Sequence, residues 1–384
     1  MDENSPKETG LNRSTSLAEL ARLFLKLGVL GFGGPAVHIA MMQEEVVKKR
    51  AWMSDQRFLD LVGATNLIPG PNSTEMTMHI GHERAGWKGL VVAGCCFIIP
   101  AVVITAVFAW LYQQYGQLPQ VQPFIYGIKP AIIAVVVALM IDLGRKALKT
   151  VTLGVIGMLA AVAVLAGFNE IYVLFGAGFL GVVLHWLRPP GKQLNGFAPF
   201  IFWQAANAYV PLTESKIFWV FLKIGAILYG SGYVLFAFLD AELVSKGWLT
   251  KQQLVDAIAV GQFTPGPVFS SATFIGWQIG GAMGAVAATI GIFLPAFLFV
   301  ALLRPLLPLV QKSSAMRAFL DTVNIVSVAI ILSVIIEMGR SVLLDWRTMV
   351  IALASFAVTF YFKKWNTAFI IVGGAVVGYV LSYF

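Results

Sequence analysis

Charged residues are scarce in this chain. Of its 384 residues only 12% are Asp, Glu, Lys or Arg, while 58% are hydrophobic. A soluble domain carries about 25% charged residues, so water is excluded as the main solvent and lipid takes its place. The mean hydropathy of +0.80 agrees. Cysteine is nearly absent too. Cys95 and Cys96 stand side by side in an apolar run, where disulfide geometry fits poorly and two small packing residues are the plain reading. The four histidines, His38, His79, His82 and His185, fall into no haem or zinc spacing. No redox or metal cofactor is therefore indicated. The polar, mixed-charge residues 1–17 lack the basic start and apolar run of a signal peptide; they read as a polar cytoplasmic leader.

What the chain does have is long uncharged stretches. Gly89 to Tyr112 and Phe274 to Leu303 contain no charged residue, and each exceeds the roughly 20 residues that span a bilayer. The net charge is +8. In a soluble protein that excess would suggest nucleic acid. Here the basic residues sit in short loops between apolar runs, where they set membrane orientation and some attract an anion. The expected partner is the lipid bilayer, not nucleic acid.

An internal repeat organises the rest. FLKLGVLGFGGP (Phe24 to Pro35) returns as FLKIGAILYGSG (Phe221 to Gly232), and LIPGPNSTEMT (Leu67 to Thr77) as FTPGPVFSSAT (Phe263 to Thr273). Trp52 matches Trp248, IDLGR (Ile141 to Arg145) matches IEMGR (Ile336 to Arg340), and FGAGFLGVVL (Phe175 to Leu184) matches VGGAVVGYVL (Val372 to Leu381). The order is preserved with small gaps. Residues 18–188 and 215–384 thus read as two copies of one membrane unit.

Loop charges alternate with opposite phase in the two copies. Basic loops in the first hold Lys88, then Arg145, Lys146 and Lys149, then Arg188 and Lys192. In the second they hold Arg304, Lys312 and Arg317, then Lys363 and Lys364, while Arg340 and Arg347 are offset by Glu337 and Asp345. The positive-inside rule then inverts one half relative to the other. Inversion requires an odd crossing between the halves, and Phe197 to Pro211, within the linker 189–214, is the candidate. The expected fold is an all-α polytopic membrane protein with inverted-topology repeats and broken or re-entrant helices.

The breaks are Pro69-Gly70-Pro71 and Thr264-Pro265-Gly266-Pro267. Two prolines around a glycine stop a helix and leave carbonyls unpaired, which lipid tolerates only where the break is buried in protein or lines a cavity. Asn72, Ser73 and Thr74 follow the first break; Ser270, Ser271 and Thr273 follow the second. A helix restarting there would aim its free N–H groups and positive end at an anion. Simple structural kinks are the alternative. Lys26 and Lys223 occupy matching positions inside apolar runs. They either compensate a dianion near the symmetry axis or snorkel to an interface. Gly33 and Gly34, in the Gly31 cluster echoed at Gly230 and Gly232, allow helix packing or ligand approach. Glu75 has Ser271 as its counterpart. It is a single carboxylate suited to proton coupling, or else a partner for Arg84 or Lys26. Asp142 with Arg145, and Glu337 with Arg340, have the spacing of intrahelical ion pairs. Lys129, before Pro130, reads as a helix-start feature, and Asp321 as interfacial.

These motifs resemble the long-chain chromate ion transporter family. FLKLGVLGFGGP, LIPGPNSTEM, FLKIG, FTPGPVFSSATFIG and IFLPAF carry the likeness, which covers nearly the whole chain. The resemblance implies a multi-pass bacterial inner-membrane protein that exports chromate, driven by the proton-motive force, and so gives chromate resistance. It also implies sulfate as competitor or alternative substrate. It assigns no role to single residues. Sulfate uptake and an anion channel stand as alternatives. A chromate reductase would need a redox cofactor site, and the sequence shows none. A homodimer is an alternative use of the small-residue helix faces.

Overall fold

The computed structural model describes residues 15–187, 213–229, 232–303, 313–362 and 366–382, and all regular structure among them is helical. Residues 1–14 of the leader, most of the linker with its candidate crossing at 197–211, and the loops holding Arg304, Lys312 and Lys363 lie outside the described residues.

Each half contributes seven α-helices among the described residues. The first half has α1 (Leu17–Leu30), α2 (Pro35–Met42, continued by a π-helical turn Gln43–Lys49), α3 (Asp55–Thr65), α4 (Asn72–Tyr115), α5 (Gln122–Ala147), α6 (Val151–Leu165) and α7 (Glu170–Leu187). The second has α8 (Glu214–Ile227), α9 (Leu235–Leu239, continued by a π-helical turn Asp240–Val244), α10 (Lys251–Phe263), α11 (Ser271–Leu303), α12 (Ser314–Val342), α13 (Trp346–Tyr361) and α14 (Thr367–Leu381). Helix starts are encoded alike in the two copies. Ser16 and Thr213 accept the N–H groups of Glu19 and Lys216, and Ser54 and Thr250 those of Arg57 and Gln253. Each cap satisfies an amide that the helix itself leaves free.

α4 and α11 are not single rods. Ala85 and Gly86 leave helical geometry in α4, with Gly86 at φ 59°. Gly280 and Gly281 do the same in α11, with Gly281 at φ 61°. Beyond each break the chain doubles back. Thr273 and Thr289 hydroxyls are 2.7 Å apart, whereas a straight helix would hold residues of that separation about 24 Å apart. Gly81 lies against Gly89, and Gly276 against Gly284, so closely that a Cβ on any of them would strike the facing backbone. Each copy therefore carries a re-entrant hairpin: a short limb (72–84 or 271–279) and a long apolar limb (87–115 or 282–303).

The halves are inverted with respect to each other. Along the α4 long limb, Thr105 bonds Ser270, and Gln113 takes the Trp277 indole N–H, so the short limb of α11 runs parallel to it. The long limb of α11 then runs antiparallel to its repeat equivalent. α5 and α12 are equivalents as well. Gly144 lies near Val328 and Lys149 pairs with Asp321, which makes them antiparallel too. Antiparallel equivalents require a two-fold axis across the helices, hence in the membrane plane. The halves also exchange arms. α5 packs on α13 and α14, with Phe124 stacked on Tyr379, while α12 packs on α6 and α7, with Phe319 and Val323 against Gly178.

Thr15, beside α1, bonds Arg84 at the α4 hairpin turn, while Ile217 of α8 meets Gly280 and Gly284 at the α11 turn. α1 therefore begins on one face, called the first here, and α8 on the second. Among the described residues, five helices are long and apolar enough to cross a membrane. Val151, Met158, Leu353 and Phe369 lie largely exposed on the outer helices, the surface that lipid would cover.

Candidate oxyanion site at the crossed re-entrant hairpins

Both Pro-Gly-Pro turns are buried at the crossing of α4 and α11. Pro71 caps α4, and a helix restarts at Asn72; in the second copy a 3-10 turn (Val268–Ser270) precedes the restart at Ser271. Gly70 (φ 138°) and Gly266 (φ 89°) hold backbone conformations that side chains rarely adopt. Each turn docks on the opposite half. The Gly70 amide donates to the Leu228 carbonyl at 2.8 Å, and the Gly266 amide to the Gly31 carbonyl at 2.7 Å. A Cβ on Gly70 would touch Ala296, and one on Gly266 would touch Ala101. Pro100 and Pro295 precede those alanines inside the long limbs.

The short limb of α4 is polar yet enclosed, with Ser73 to Gly81 all buried. Asn72 donates to Asn66 at 2.7 Å. Ser73 meets His38 Nδ1 at 3.2 Å, and His38 Nε2 meets the Gly31 carbonyl at 2.8 Å, the same carbonyl that receives Gly266. His38 thereby ties the first break to the second, a link the sequence did not suggest. The Thr74 hydroxyl and both carboxylate oxygens of Glu75 are buried without a hydrogen-bond partner. Glu75 is 0% exposed, and its carboxylate lies against the Gly70 Cα. In the second copy the hydroxyls are engaged. Thr264 donates to the Val260 carbonyl, Ser271 to the Val268 carbonyl, Thr105 to Ser270, and Thr273 pairs with Thr289.

The lysines are placed differently from the compensating role. Lys26 pairs with Glu45 at 3.0 Å and Lys223 with Glu242 at 2.6 Å, and both lysine side chains are 53% exposed. Each ammonium is neutralised within its own half at the same sequence separation, so the two do not converge between the breaks. Glu45 also binds Lys49 and Arg50, and the Arg50 guanidinium, with Lys26, outweighs burial and holds its carboxyl down at about 2. Arg84 turns to Thr15 and the Trp52 carbonyl, so neither basic residue weighed for Glu75 is its partner. Gly33 (φ 107°) and Gly34 (φ 82°) shape the loop into α2, with Gly34 at its N-cap. Glu337 pairs with Lys251 of α10, a tertiary contact across helices. Lys129 is not a helix-start feature, because α5 begins at Gln122 and Lys129 pairs with Asp256 of the other half.

The family model for chromate transporters matches residues 18–182 and again 215–379. The chain belongs to the chromate transporter family. It is 31% identical over 377 residues to the chromate transport protein of Cupriavidus metallidurans, covering 95% of this chain and 93% of that one. It is 29% identical over 377 residues to a probable chromate transport protein of Synechococcus elongatus, covering 95% of both. A chromate transport protein of Pseudomonas aeruginosa matches at 29% over 386 residues, 95% of this chain and 92% of the relative. No solved structure matches. In this member of the family the paired hairpins bring hydroxyls and one buried carboxylate to a break shared by two inverted halves.

Proposed function

We propose that this chain exports chromate across the bacterial inner membrane, driven by the proton-motive force, and so confers chromate resistance. The observation that carries the reading is the reciprocal docking of the two Pro-Gly-Pro turns, Gly70 on Leu228 and Gly266 on Gly31. Broken helices at matching positions of inverted repeats form the substrate sites of secondary transporters. The oxyanion is held by the N–H groups after the breaks and by Asn72, Ser73, Thr74, Ser270, Ser271 and Thr273. Their present internal hydrogen bonds are exchanged for the anion's oxygens. Glu75 couples the proton. An unpaired carboxylate charge at so buried a place is costly, so the group exchanges its proton as the site opens to water. Rocking of one half against the other alternates access, and the face with Lys88, Arg145, Lys146 and Lys149 is cytoplasmic.

Accumulation of labelled chromate in everted vesicles, with and without an uncoupler and with sulfate as competitor, tests this. Uncoupler-sensitive accumulation supports the reading. Sulfate movement in right-side-out vesicles without chromate accumulation would replace both substrate and direction.

A further inference from the structure

One cluster of titratable side chains is used by nothing above. Asp256 lies in α10, seven residues before its end at Phe263. Its Oδ1 is 3.2 Å from Lys129 Nζ, and its Oδ2 accepts the Tyr112 hydroxyl at 2.6 Å. Lys129 and Tyr112 come from the first half, Asp256 from the second. The lysine and aspartate side chains are only 12% and 5% exposed. This is a buried ion pair across the seam between the parts that must move.

Its surroundings give it direction. On the outer side, Lys129 borders a cavity of about 220 Å³ whose other walls include Gln122, Tyr126, Gln252, Asp345 and Thr348. These sit at the second-face ends of α5, α10 and α13. On the inner side the seam continues through Tyr112 against Phe274 and Phe108 against Phe263 to the Thr105–Ser270 contact beside the second break. The pair therefore stands between a polar opening and the Pro-Gly-Pro segment. The repeat equivalents of Asp256 and Lys129 are Asp60 and Asn324, and both are exposed. The carboxylate of Asp60 receives the Gln56 amide of its own helix. The first face has no matching lock at these positions.

We infer that the Lys129–Asp256 pair, braced by Tyr112, is the closed gate of the second face, and that it parts when alternating access opens that face. The inference rests on the transporter reading. A buried pair holds only while both partners stay together, and removing one leaves an uncompensated charge. When the halves separate, the cavity supplies water to both ions, which keeps opening reversible. A dianion entering the cavity competes with Asp256 for the ammonium, so cargo itself favours opening.

Thiol accessibility tests the gate without relying on transport. In a chain with Cys95 and Cys96 replaced by Ala, Ser270→Cys places a thiol at a fully buried position inward of the pair. A membrane-impermeant methanethiosulfonate reagent is applied to right-side-out and to everted vesicles. Labelling from the second face is expected to be slow in this parent and about tenfold or more faster with Asp256→Asn or Lys129→Gln, since either strands a buried charge. The exchange variant Lys129→Asp with Asp256→Lys is expected to return it to slow. Insertion is checked by monodisperse gel filtration, and either single variant suffices if the other fails to insert. Unchanged rates in the inserted single variants overturn the gate, as does a fast rate that the exchange variant does not slow. Chromate flux is read separately, in chains that keep Ser270: gated labelling with no flux there would sink the substrate reading and leave the gate, while flux with ungated labelling sinks the gate alone.

Discussion

The Gly70 amide of the first half donates to the Leu228 carbonyl of the second at 2.8 Å, and the mirror bond from Gly266 to Gly31 is 2.7 Å. Leu228 and Gly31 are themselves repeat equivalents, each at the C-terminal end of the first helix of its half. One contact repeated under a two-fold rotation closes a symmetric clasp at the centre of the protein. A helix break in lipid needs partners for its freed backbone groups; here each half supplies them to the other.

The clasp constrains the glycines. Gly70→Ala puts a side chain at φ 138° and into the Glu75 carboxylate, and Gly266→Ala puts one at φ 89° and against Ala101. Strain of about 1–3 kcal/mol is expected at each. Chromate accumulation in everted vesicles is expected to fall by about tenfold or more, with lower melting temperatures in detergent. Wild-type flux and melting in both variants would show that the turns are not the centre of the machine.

The lysines lead to the opposite expectation. Lys26 and Lys223 are half-exposed and already paired with Glu45 and Glu242. Exposed pairs contribute about 0–1 kcal/mol. The double variant Lys26→Ala, Lys223→Ala is therefore expected to insert and to retain chromate transport within about threefold. Loss of substrate affinity with intact folding would restore the lysines to the oxyanion.

Much of the fold was legible because duplication writes each signal twice. Pro69-Gly70-Pro71 alone is a kink; with Pro265-Gly266-Pro267 it marks the paired break, and the structure places both at one crossing. The lysine pairs were legible by the same logic, since Lys26 to Glu45 and Lys223 to Glu242 are each 19 residues apart, but a single copy gives no reason to look that far. The reversals at Gly86 and Gly281 are hidden because the flanking residues are helical throughout, and only the repeated close pairs Gly81–Gly89 and Gly276–Gly284 betray them. Lys129 with Asp256 left no trace. The partners lie in different halves, and their equivalents, Asn324 and Asp60, form no such pair. Contacts that break the symmetry cannot be read from it.

At the second face Asp345 joins the arms of the two halves. Its carboxylate accepts the Thr348 amide at 2.9 Å, capping α13, and also the Tyr126 hydroxyl of α5. The Tyr126 bond and then the Thr348 amide hold its carboxyl below the usual carboxylate range. A depressed carboxyl stabilises above its unfolded value, about 4, and that contribution is lost as pH falls through the folded one. Asp345→Ala is expected to cost about 0.5–2 kcal/mol at pH 7. Detergent melts from pH 7 to 3 should show the variant and wild type converging at the acid end; a constant gap would mean the cap acts without its charge.

Glu75 separates coupling from binding. It is fully buried with neither oxygen partnered, beside the turn that grips the other half, and its repeat counterpart Ser271 is a hydroxyl bonded to the Val268 carbonyl. The asymmetry leaves a carboxyl after the first break and a hydroxyl at the matching position after the second. Glu75→Gln keeps the shape and removes the ability to ionise, so insertion and melting should match wild type, because no ion pair is lost. If Glu75 carries the proton, chromate still exchanges across vesicles loaded on both sides, but uphill accumulation and its sensitivity to an uncoupler disappear. Glu75→Asp keeps an ionisable group and should retain part of the accumulation. Full uncoupler-sensitive accumulation in Glu75→Gln would move coupling elsewhere, and Asp256, the other buried acid at the seam, would be tested next. Loss of both exchange and accumulation in a well-folded Glu75→Gln would instead place the carboxyl in direct contact with the oxyanion, as a hydrogen-bond donor that the amide does not replace.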